Sequence, residues 1–149
     1  MDPGPKCPFA SGASHGPGCF NFLYTEQGRR VPDTNNKLEA CFRAVLETTS
    51  EKKIGRGTLV TGGKSVGGRI ASQIGAAGAD VEGLVSLGYP LHPPGKVDQL
   101  RAKHLSDIKV PMLIIQSSRD TFGTPDELRP IRLLPIYTLW KAATTPSRS

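Results

Sequence analysis

A serine flanked by glycines is the feature of this sequence most able to carry out chemistry. Residues 63–67 read Gly-Lys-Ser-Val-Gly, which is the pattern G-x-S-x-G. In a sharp turn between a strand and a helix, this pattern presents Ser65 as a nucleophile, and Gly63 and Gly67 keep side chains from colliding. The N–H of Val66 would then point at a developing oxyanion, at the positive end of the helix dipole. The pattern therefore predicts acyl transfer through Ser65.

Two other interpretations start from the same residues. In the first, the segment is only a glycine-rich turn in which Ser65 caps the following helix, and this interpretation stays open. In the second, Gly63-Lys64-Ser65 ends a phosphate-binding loop of the form G-x-x-x-x-G-K-S. That loop needs a glycine at position 58, where this sequence has Thr58, so the second interpretation is excluded.

An acid and a base are needed beside such a nucleophile. Asp120 follows the strongest predicted strand, as the acid does in hydrolases with the chain order Ser, Asp, His; a turn aspartate paired with Arg119 is the alternative. A serine hydroxyl also needs a base within hydrogen-bond reach. The three histidines, His15, His92 and His104, all precede Asp120. His92 follows a predicted strand and is the candidate for a substitute base or pocket residue, with a rigid loop residue beside prolines as the alternative.

Strands and helices alternate along the chain in a way that would position these residues. Short apolar strands are predicted at 19–24, 57–61, 84–87 and 112–115. Helices are predicted at 35–46, 66–77 and 98–104. This order predicts an α/β fold with a mostly parallel sheet of at least four strands and helices on both faces. Because parallel strands end at one edge of a sheet, we expect Ser65 and Asp120 to converge there.

Composition excludes several classes of protein. The chain has 149 residues, enough for one ordinary domain, and 37% of them are hydrophobic. No apolar run approaches the ~18 residues of a membrane helix, and the start lacks the apolar core of a secretory signal. The net charge is +6, but basic residues alternate with acidic ones, which disfavours a nucleic-acid partner. Three cysteines without a C-x-x-C motif indicate a reducing, intracellular compartment, cytoplasmic or nuclear, and no metal or cofactor.

Four segments together resemble a known family. They are Asn21–Tyr24 with Gly28–Asp33, Gly62–Arg69, Gly88–Lys96 (Gly-Tyr-Pro-Leu-His-Pro-Pro-Gly-Lys), and Arg119–Asp120 with Phe122–Pro125. They resemble a dienelactone-hydrolase-like branch of the α/β-hydrolase fold. This branch includes the testis-expressed protein 30 group and the hydrolase-like domain of subunit 3 of the non-specific-lethal histone-acetyltransferase complex. The resemblance implies Ser65 as nucleophile, Asp120 as acid and the Val66 N–H as half of the oxyanion hole.

The sequence departs from this family at both ends. The family fold begins with three strands before the first strand seen here, and its catalytic histidine would fall near residues 142–147, which contain none. The segment 15–18 (His-Gly-Pro-Gly) is interpreted as a helix end rather than an oxyanion loop. We therefore expect an irregular segment over 1–18, a hydrolase-like domain truncated at both ends over 19–130 and an irregular tail over 131–149. Within this tail, residues 131–140 show a weak pattern that fits either a strand or a helix.

These departures define the functional expectation. A hydrolase of ester or lactone bonds without its histidine would be weak or inactive, with a small ester-like substrate. The alternative is a non-catalytic binding or assembly domain with a protein partner, in a chromatin-modifying complex if the resemblance extends that far. A sheet edge left open by missing strands would also favour self-association. The sequence leaves the oligomeric state open.

Overall fold

The computed structural model describes residues 9–10, 18–51, 57–131 and 137–142. The chain divides into two compact units, residues 1–58 and 59–149. The hydrolase-like domain expected over 19–130 is therefore shared between two units. The helix end expected at 15–18 falls almost wholly outside the described residues.

The first unit is built around one long helix. Strands β1 (Phe9–Ala10) and β2 (Cys19–Phe20) pair antiparallel, and α1 (Leu23–Glu26) and α2 (Asn35–Glu51) follow. The buried residues of α2 are apolar and recur at intervals of three and four: Leu38, Cys41, Phe42 and Val45. The spacing of three and four residues thus identified the helix and its buried side, because one turn of a helix takes 3.6 residues.

The aromatic segment at the start of this unit is not the strand predicted over 19–24. Only β2 is extended, and α1 begins at Leu23. The rings of Phe20 and Phe22 both lie beside Phe42, with centroids 5.1 and 6.3 Å away, while Tyr24 stacks on Phe22. Phe20, Phe22 and Tyr24 would share one face of a strand as well, because residues i, i+2 and i+4 do so. The contacts between their rings are thus compatible with either backbone, and the residue types alone could not show that α1 begins at Leu23.

The cysteines of this unit also differ from expectation. Cys41 is disulfide-bonded, while Cys19 is a free and exposed cysteine. The sequence predicted reduced cysteines, as expected for a reducing compartment. Cys41 differs from this prediction and Cys19 agrees with it.

The second unit contains a four-stranded parallel sheet. Its strands are β3 (Val60–Lys64), β4 (Gly83–Leu87), β5 (Met112–Ser117) and β6 (Tyr137–Ala142), and they lie in that order. Every neighbouring pair is parallel. The helices are α3 (Val66–Ala76), a short 3₁₀ helix (Lys103–Asp107) and α4 (Pro125–Leu128). The prediction of an α/β fold with a parallel sheet of at least four strands is confirmed.

Small residues bring α3 close to the sheet. A Cβ added to Gly75 would lie 2.7 Å from Leu84 Cδ1, and one added to Gly68 would collide with the Ser86 hydroxyl. Leu84 and Ser86 pair in register with Met112 and Ile114, and all four are buried. The core of this unit therefore lies on the side of the sheet that faces α3.

Along β5 the burial alternates. Gln116, like Met112 and Ile114, is buried, while the residues between them are only half-buried. The second face of this strand is therefore covered, but less completely than the first. Apolar composition showed that the strand lies inside the sheet, but it could not show how completely each face is covered.

Several further element boundaries differ from the sequence-based predictions, and α2, for example, ends at Glu51 rather than at residue 46. The first strand of the sheet is β3 at 60–64 rather than 57–61, since it runs directly into Ser65. The helix predicted at 98–104 is replaced by turns and the 3₁₀ helix, because Arg101 N–H donates to Leu91 O (2.7 Å) and ties the segment back on itself.

Another difference is at the C-terminal side. Residues 137–142, expected within an irregular tail, form β6 and pair with β5 over six positions. The tail therefore contains a strand of the sheet, which is one of the two possibilities that the sequence offered for residues 131–140. Likewise β1 lies inside the N-terminal segment expected to be irregular.

Candidate functional site

Ser65 occupies a strained turn at the carboxyl end of β3. Its backbone has φ +50° and ψ −116°, and among the described residues other than glycine it alone has a positive φ. Residues with a Cβ rarely adopt this conformation, which costs of the order of 1–3 kcal/mol and persists only where the surroundings impose it. The chain therefore reverses within one residue, from β3 directly into α3.

The glycines around Ser65 make this turn possible. A Cβ added to Gly63 would lie 2.8 Å from the carbonyl carbon of Gly67, and one added to Gly68 would lie 2.7 Å from Gly63 O. A Cβ at Gly67 would meet nothing within 4 Å. The sequence predicted that a side chain would not fit at Gly63 or at Gly67. In the structure, the two positions without room for a Cβ are Gly63 and Gly68. The doublet Gly67-Gly68 was visible in the sequence, but which member lacks room depends on β4.

The start of α3 presents hydrogen-bond donors beside Ser65. Val66 is the first residue of α3, so its N–H is among those that find no acceptor inside the helix. The Ser65 hydroxyl caps none of these amides, and the residue is half-buried. The capping interpretation of Ser65 is therefore wrong. The hydroxyl and the Val66 N–H remain available to an outside group at the positive end of the helix dipole.

Asp120 lies at the same edge of the sheet as Ser65. Ser65 N–H donates to Leu87 O (2.9 Å), at the end of β4. The next residue, Gly88, approaches Asp120, since a Cβ added there would lie 3.5 Å from Asp120 Oδ2. Ser65 and Asp120 thus lie on opposite sides of the residue pair 87–88, at the carboxyl ends of β3 and β5.

The carboxylate of Asp120 is held by its own loop. Oδ1 accepts a hydrogen bond from Phe122 N–H (2.9 Å), and Oδ2 accepts one from the Gln116 amide (3.2 Å). No ion pair joins Asp120 to Arg119 within the described part of the chain. The alternative of a turn aspartate paired with Arg119 is therefore not observed.

Gln116 organises this edge and was not singled out from the sequence. Its side chain is fully buried, and its Oε1 accepts from Tyr89 N–H (2.7 Å). Its Nε2 donates to Tyr89 O (3.2 Å), to Asp120 and to Gly123 O (2.5 Å). One amide therefore fastens the loop after β4 to the loop after β5. A glutamine at the end of an apolar strand was the only sequence signal.

His92 lies in the loop after β4 but bonds to neither Ser65 nor Asp120 in the described structure. It is buried, its Nδ1 lies 2.8 Å from Pro93 O, and its Nε2 lies 3.2 Å from Glu127 Oε1. Both partners are acceptors, so both hydrogen bonds form together only when the ring carries two protons. In that state His92 has no lone pair with which to accept a proton from Ser65.

Glu127 is fixed at the start of α4 by a capping box. Its carboxylate accepts from Thr124 N–H (2.6 Å), while Glu127 N–H donates to the Thr124 hydroxyl (3.3 Å). The hydrogen bond from the Thr124 backbone is the main cause that lowers the pKa of Glu127, and the hydrogen bond and charge of His92 act in the same direction. The Thr-x-x-Glu pattern at 124–127 could have shown this cap from the sequence.

A second buried polar network lies behind α3. Ser72 Oγ donates to Arg69 O (2.6 Å) and lies 2.8 Å from His104 Nε2. The Tyr89 hydroxyl donates to Arg101 O (2.8 Å) and lies 3.4 Å from the same nitrogen. Both hydroxyl protons are thus used, so His104 must donate from Nε2.

Burial shapes the ionisation of this network. It raises the pKa of Tyr89 to about 12 and lowers the pKa of His104, on which the positive charge of Arg69 acts in the same direction. Ser72 is fully buried, so this serine–histidine pair is a packing element and not a second nucleophile.

Potential metal ligands are scattered among the described residues rather than clustered. They contain no group of three or more His, Cys, Asp or Glu residues that could hold a metal ion. A cavity of about 510 Å³ lies within the first unit, with Arg29, Asp33, Asn36 and Lys37 in its lining. None of the residues predicted to form the site lines this cavity, and the Arg29 guanidinium is already paired with Asp33 (2.9 Å).

The family of the chain follows from its sequence as a whole. A family model described as an alpha/beta hydrolase domain matches residues 13–143. The chain therefore belongs to the α/β-hydrolase family, in agreement with the strand–serine–helix turn and the parallel sheet. No solved structure matches the chain. Among the described helices, none is both long and apolar enough to cross a membrane.

Proposed function

We propose that this chain is a serine-hydrolase-type domain that acts on ester or lactone bonds through Ser65, with weak activity. The backbone of Ser65 is the observation that carries this proposal. A φ of +50° on a serine is costly, and it is typical of the turn that exposes the nucleophile of an α/β hydrolase. A serine whose only role was to cap α3 would have no need of this strain.

In the proposed reaction the Ser65 oxygen attacks the carbonyl carbon of the substrate. The hydroxyl proton passes to a base and then to the departing alcohol, which leaves an acyl group on Ser65. Water then adds to the acyl carbon, so that ester and water become acid and alcohol. The Val66 N–H donates to the oxygen on which negative charge develops, and Asp120 is the acid that would orient the base.

The base is the weak point of this site. No histidine follows Asp120 in this sequence, and the ring nitrogens of His92 bond to Pro93 O and Glu127. Without a base, catalysis falls to what binding and the oxyanion hole supply, a loss of several orders of magnitude. We therefore expect turnover well below the ~1 per second that is ordinary for enzymes.

A serine-reactive fluorophosphonate probe and p-nitrophenyl acetate together test this proposal. We expect slow labelling and slow hydrolysis in the wild type, both lost in Ser65→Ala. The matched control is Ser106→Ala, which removes an exposed hydroxyl from the 3₁₀ helix and should leave both signals unchanged. A cooperative melt for each variant excludes unfolding as the cause of a loss.

Two results would contradict the proposal. Equal labelling of the wild type and Ser65→Ala would show that Ser65 is not a nucleophile. Turnover of ~1 per second or faster that depends on Ser65 would contradict the predicted weakness. If that turnover also disappeared in His92→Gln, His92 would be the base after all.

Because both ring nitrogens of His92 are hydrogen-bonded, to Pro93 O and to Glu127, a second candidate function is favoured. It is a non-catalytic binding or assembly domain. The His92–Glu127 contact, together with the Gln116 bonds, fixes the loops at the sheet edge, as a rigid binding surface requires. Its partner would be a protein, and the resemblance to a subunit of a chromatin-modifying complex suggests where to look. Retrieval of the same protein by the wild type and by Ser65→Ala, without probe labelling of either, would support this candidate.

An intracellular location, cytoplasmic or nuclear, is part of the same proposal. Because disulfides are rare in reducing compartments, the oxidation state of Cys41 in cells tests it. Alkylation of intact cells before lysis, followed by mass spectrometry of the Cys41 peptide, measures that state. An alkylated Cys41 supports the intracellular location, and a protected one contradicts it.

A further inference from the structure

The cavity of the first unit has a volume of about 510 Å³, and the proposed reaction uses none of the residues that line it. Its lining comes from α1, from the loop after α1 and from the first turns of α2, and it includes the apolar Leu23 and Ala40 and the amide of Asn36. Sites for small molecules have volumes of about 300–1,000 Å³ and combine apolar walls with a few polar groups. The size and the mixed lining of this cavity therefore fit a small organic molecule rather than a bare ion.

The charged residues of the lining are two cations, Arg29 and Lys37, and one carboxylate, Asp33. Asp33 Oδ1 accepts from Arg29 Nη2 (2.9 Å), and the Asp33 side chain is only 11% exposed. Arg29 thus neutralises this carboxylate. Lys37 is exposed and has no ion pair within the part of the chain that the structure describes. One positive charge of the lining is therefore unbalanced, which favours an anionic ligand over a cation.

The guanidinium of Arg29 is held in place by its neighbours. Its Nε donates to Gln27 Oε1 (3.0 Å), in addition to the bond from Nη2 to Asp33. The backbone is fixed as well, since Gly28 turns the chain at φ +68° and Arg29 N–H donates to Tyr24 O (2.8 Å).

These bonds leave Arg29 able to bind an anion. Arginine has five N–H donors, so three remain, including both on Nη1, without a partner among the described residues. Three donors in one plane are enough to hold two oxygens of a carboxylate or phosphate group. Because the guanidinium is already fixed, little side-chain entropy would be lost when such a group binds.

We propose that this cavity binds a small organic anion through the carboxylate or phosphate group of that ligand. Arg29 takes two oxygens of the group, and the ammonium of Lys37 supplies the second positive charge. The organic part of the ligand lies against Leu23 and Ala40, and the Asn36 amide forms one further hydrogen bond with it.

Nuclear magnetic resonance titration of the full chain measures this binding, and it needs no reaction at Ser65. The probes are benzoate, phenyl phosphate, benzyl alcohol and inorganic phosphate. We expect benzoate and phenyl phosphate to bind with dissociation constants of about 1 mM or below, as ligands of about ten heavy atoms commonly do. Benzyl alcohol has the ring without the charge, and inorganic phosphate has the charge without the ring. Both should therefore bind at least about tenfold more weakly.

The same titration locates the site. The backbone amides of Arg29, Asn36 and Lys37 should shift with one common dissociation constant, and the tighter of the two aromatic anions identifies the preferred group as carboxylate or phosphate. Equal affinity for benzoate and benzyl alcohol, or for phenyl phosphate and inorganic phosphate, would overturn the proposal. Shifts confined to residues outside the lining would overturn it as well.

Two adjacent arginines provide a matched pair of variants. Arg29→Gln and Arg30→Gln remove the same charge from exposed positions, but Arg30 is not part of the lining. We expect Arg29→Gln to weaken the binding of benzoate at least about tenfold, and Arg30→Gln to weaken it less than about twofold because salt screens a distant exposed charge. Arg29→Lys keeps the charge without the planar fork and should also weaken binding about tenfold. Equal weakening in the two glutamine variants, or full affinity in Arg29→Lys, would overturn the proposal.

Lys37→Gln gives a result even if the Arg29 variants fail to fold. Lys37 is exposed on α2, and glutamine is about as good a helix former as lysine, so we expect this variant to show a cooperative melt. Its affinity for benzoate should fall about fivefold, while its weak affinity for benzyl alcohol should not change. Unchanged affinity for benzoate in Lys37→Gln would overturn the proposal.

Discussion

At the scale of single residues, the strained backbone of Ser65 is the feature that points most directly to a function. The pair φ +50°, ψ −116° is close to the mirror image of an ordinary extended conformation, which glycine alone adopts without cost. The turn stores this strain because β3 and α3 together fix the chain on either side of Ser65.

We expect Ser65→Gly to be more stable than Ser65→Ala by about 1 kcal/mol, since glycine relieves the strain and alanine keeps it. Urea denaturation of both variants measures the difference. The same pair of substitutions at Ser106, in the exposed 3₁₀ helix, should show the opposite order because glycine is the poorer helix former. A Ser65→Gly variant no more stable than Ser65→Ala would mean that the turn is not strained.

Gln116 is the residue on which the two loops at the site depend. Gln116→Leu fills the same space but leaves buried backbone groups of Tyr89 and Gly123 without partners. We expect a loss of about 3 kcal/mol in the free energy of unfolding, from about 1–3 kcal/mol for each buried group left unpaired. Urea denaturation measures this loss.

The exposed Gln99→Leu serves as the control and should change stability by about 0.5 kcal/mol or less. In Gln116→Leu the Tyr89 amide should also exchange faster with solvent. A loss of stability no larger than that of Gln99→Leu would show that the amide bonds contribute little.

At the scale of elements, the approach of α3 to the sheet decides which glycines are required. Gly67 and Gly68 are adjacent in the first turn of α3, but only Gly68 faces Ser86 and Gly63 O. The Ser86 hydroxyl is buried there and has no hydrogen-bond partner among the residues that the structure describes.

Substitution of these two neighbours should therefore have opposite effects. We expect Gly68→Ala to lower the free energy of unfolding by about 1–3 kcal/mol, because Gly63 O belongs to the backbone and cannot move aside. Gly67→Ala should raise it by about 0.5–1 kcal/mol, since alanine favours the helix and meets nothing. Thermal or urea unfolding of both variants measures the two changes in the free energy of unfolding. Similar changes at the two positions would contradict the close packing of Gly68 against Gly63 O.

At the scale of the whole molecule, the buried network around His104 links stability to pH. Burial lowers the pKa of His104 in the folded protein, with Arg69 acting in the same direction and Asp107 against it. In the unfolded chain the histidine has its ordinary pKa of about 6.5, so the unfolded state binds more protons below that pH. The contribution of neutral His104 to stability is thus complete above about pH 6.5 and is lost as the pH falls below it.

We expect the free energy of unfolding to fall between about pH 7.5 and about pH 5.5, and to fall less in His104→Gln. The glutamine amide can still donate to Ser72 and does not titrate in this range. Because every other titrating group is common to both proteins, the difference between the two pH profiles isolates His104. Parallel profiles would show that this histidine does not carry the effect.

The sequence by itself determined the parts of this protein that depend on short stretches of chain. The face of α2 followed from helical spacing, and the parallel sheet followed from alternating strands and helices. The position of Ser65 between β3 and α3 followed from a glycine-rich pattern, and Asp120 from its place after β5. The catalytic roles of these two residues and of Val66 stay predictions.

Only the tertiary structure decided what depends on residues far apart in the chain. It showed that Gly68 rather than Gly67 lacks room, that Gln116 joins two loops, and that His92 bonds to Glu127, 35 residues away. It also placed β6 beside β5, where the local sequence predicted an irregular tail. The physical reason is that local preferences fix spacing and turns, whereas the room beside a Cβ and the partner of a buried polar atom are set by whichever distant segment packs there.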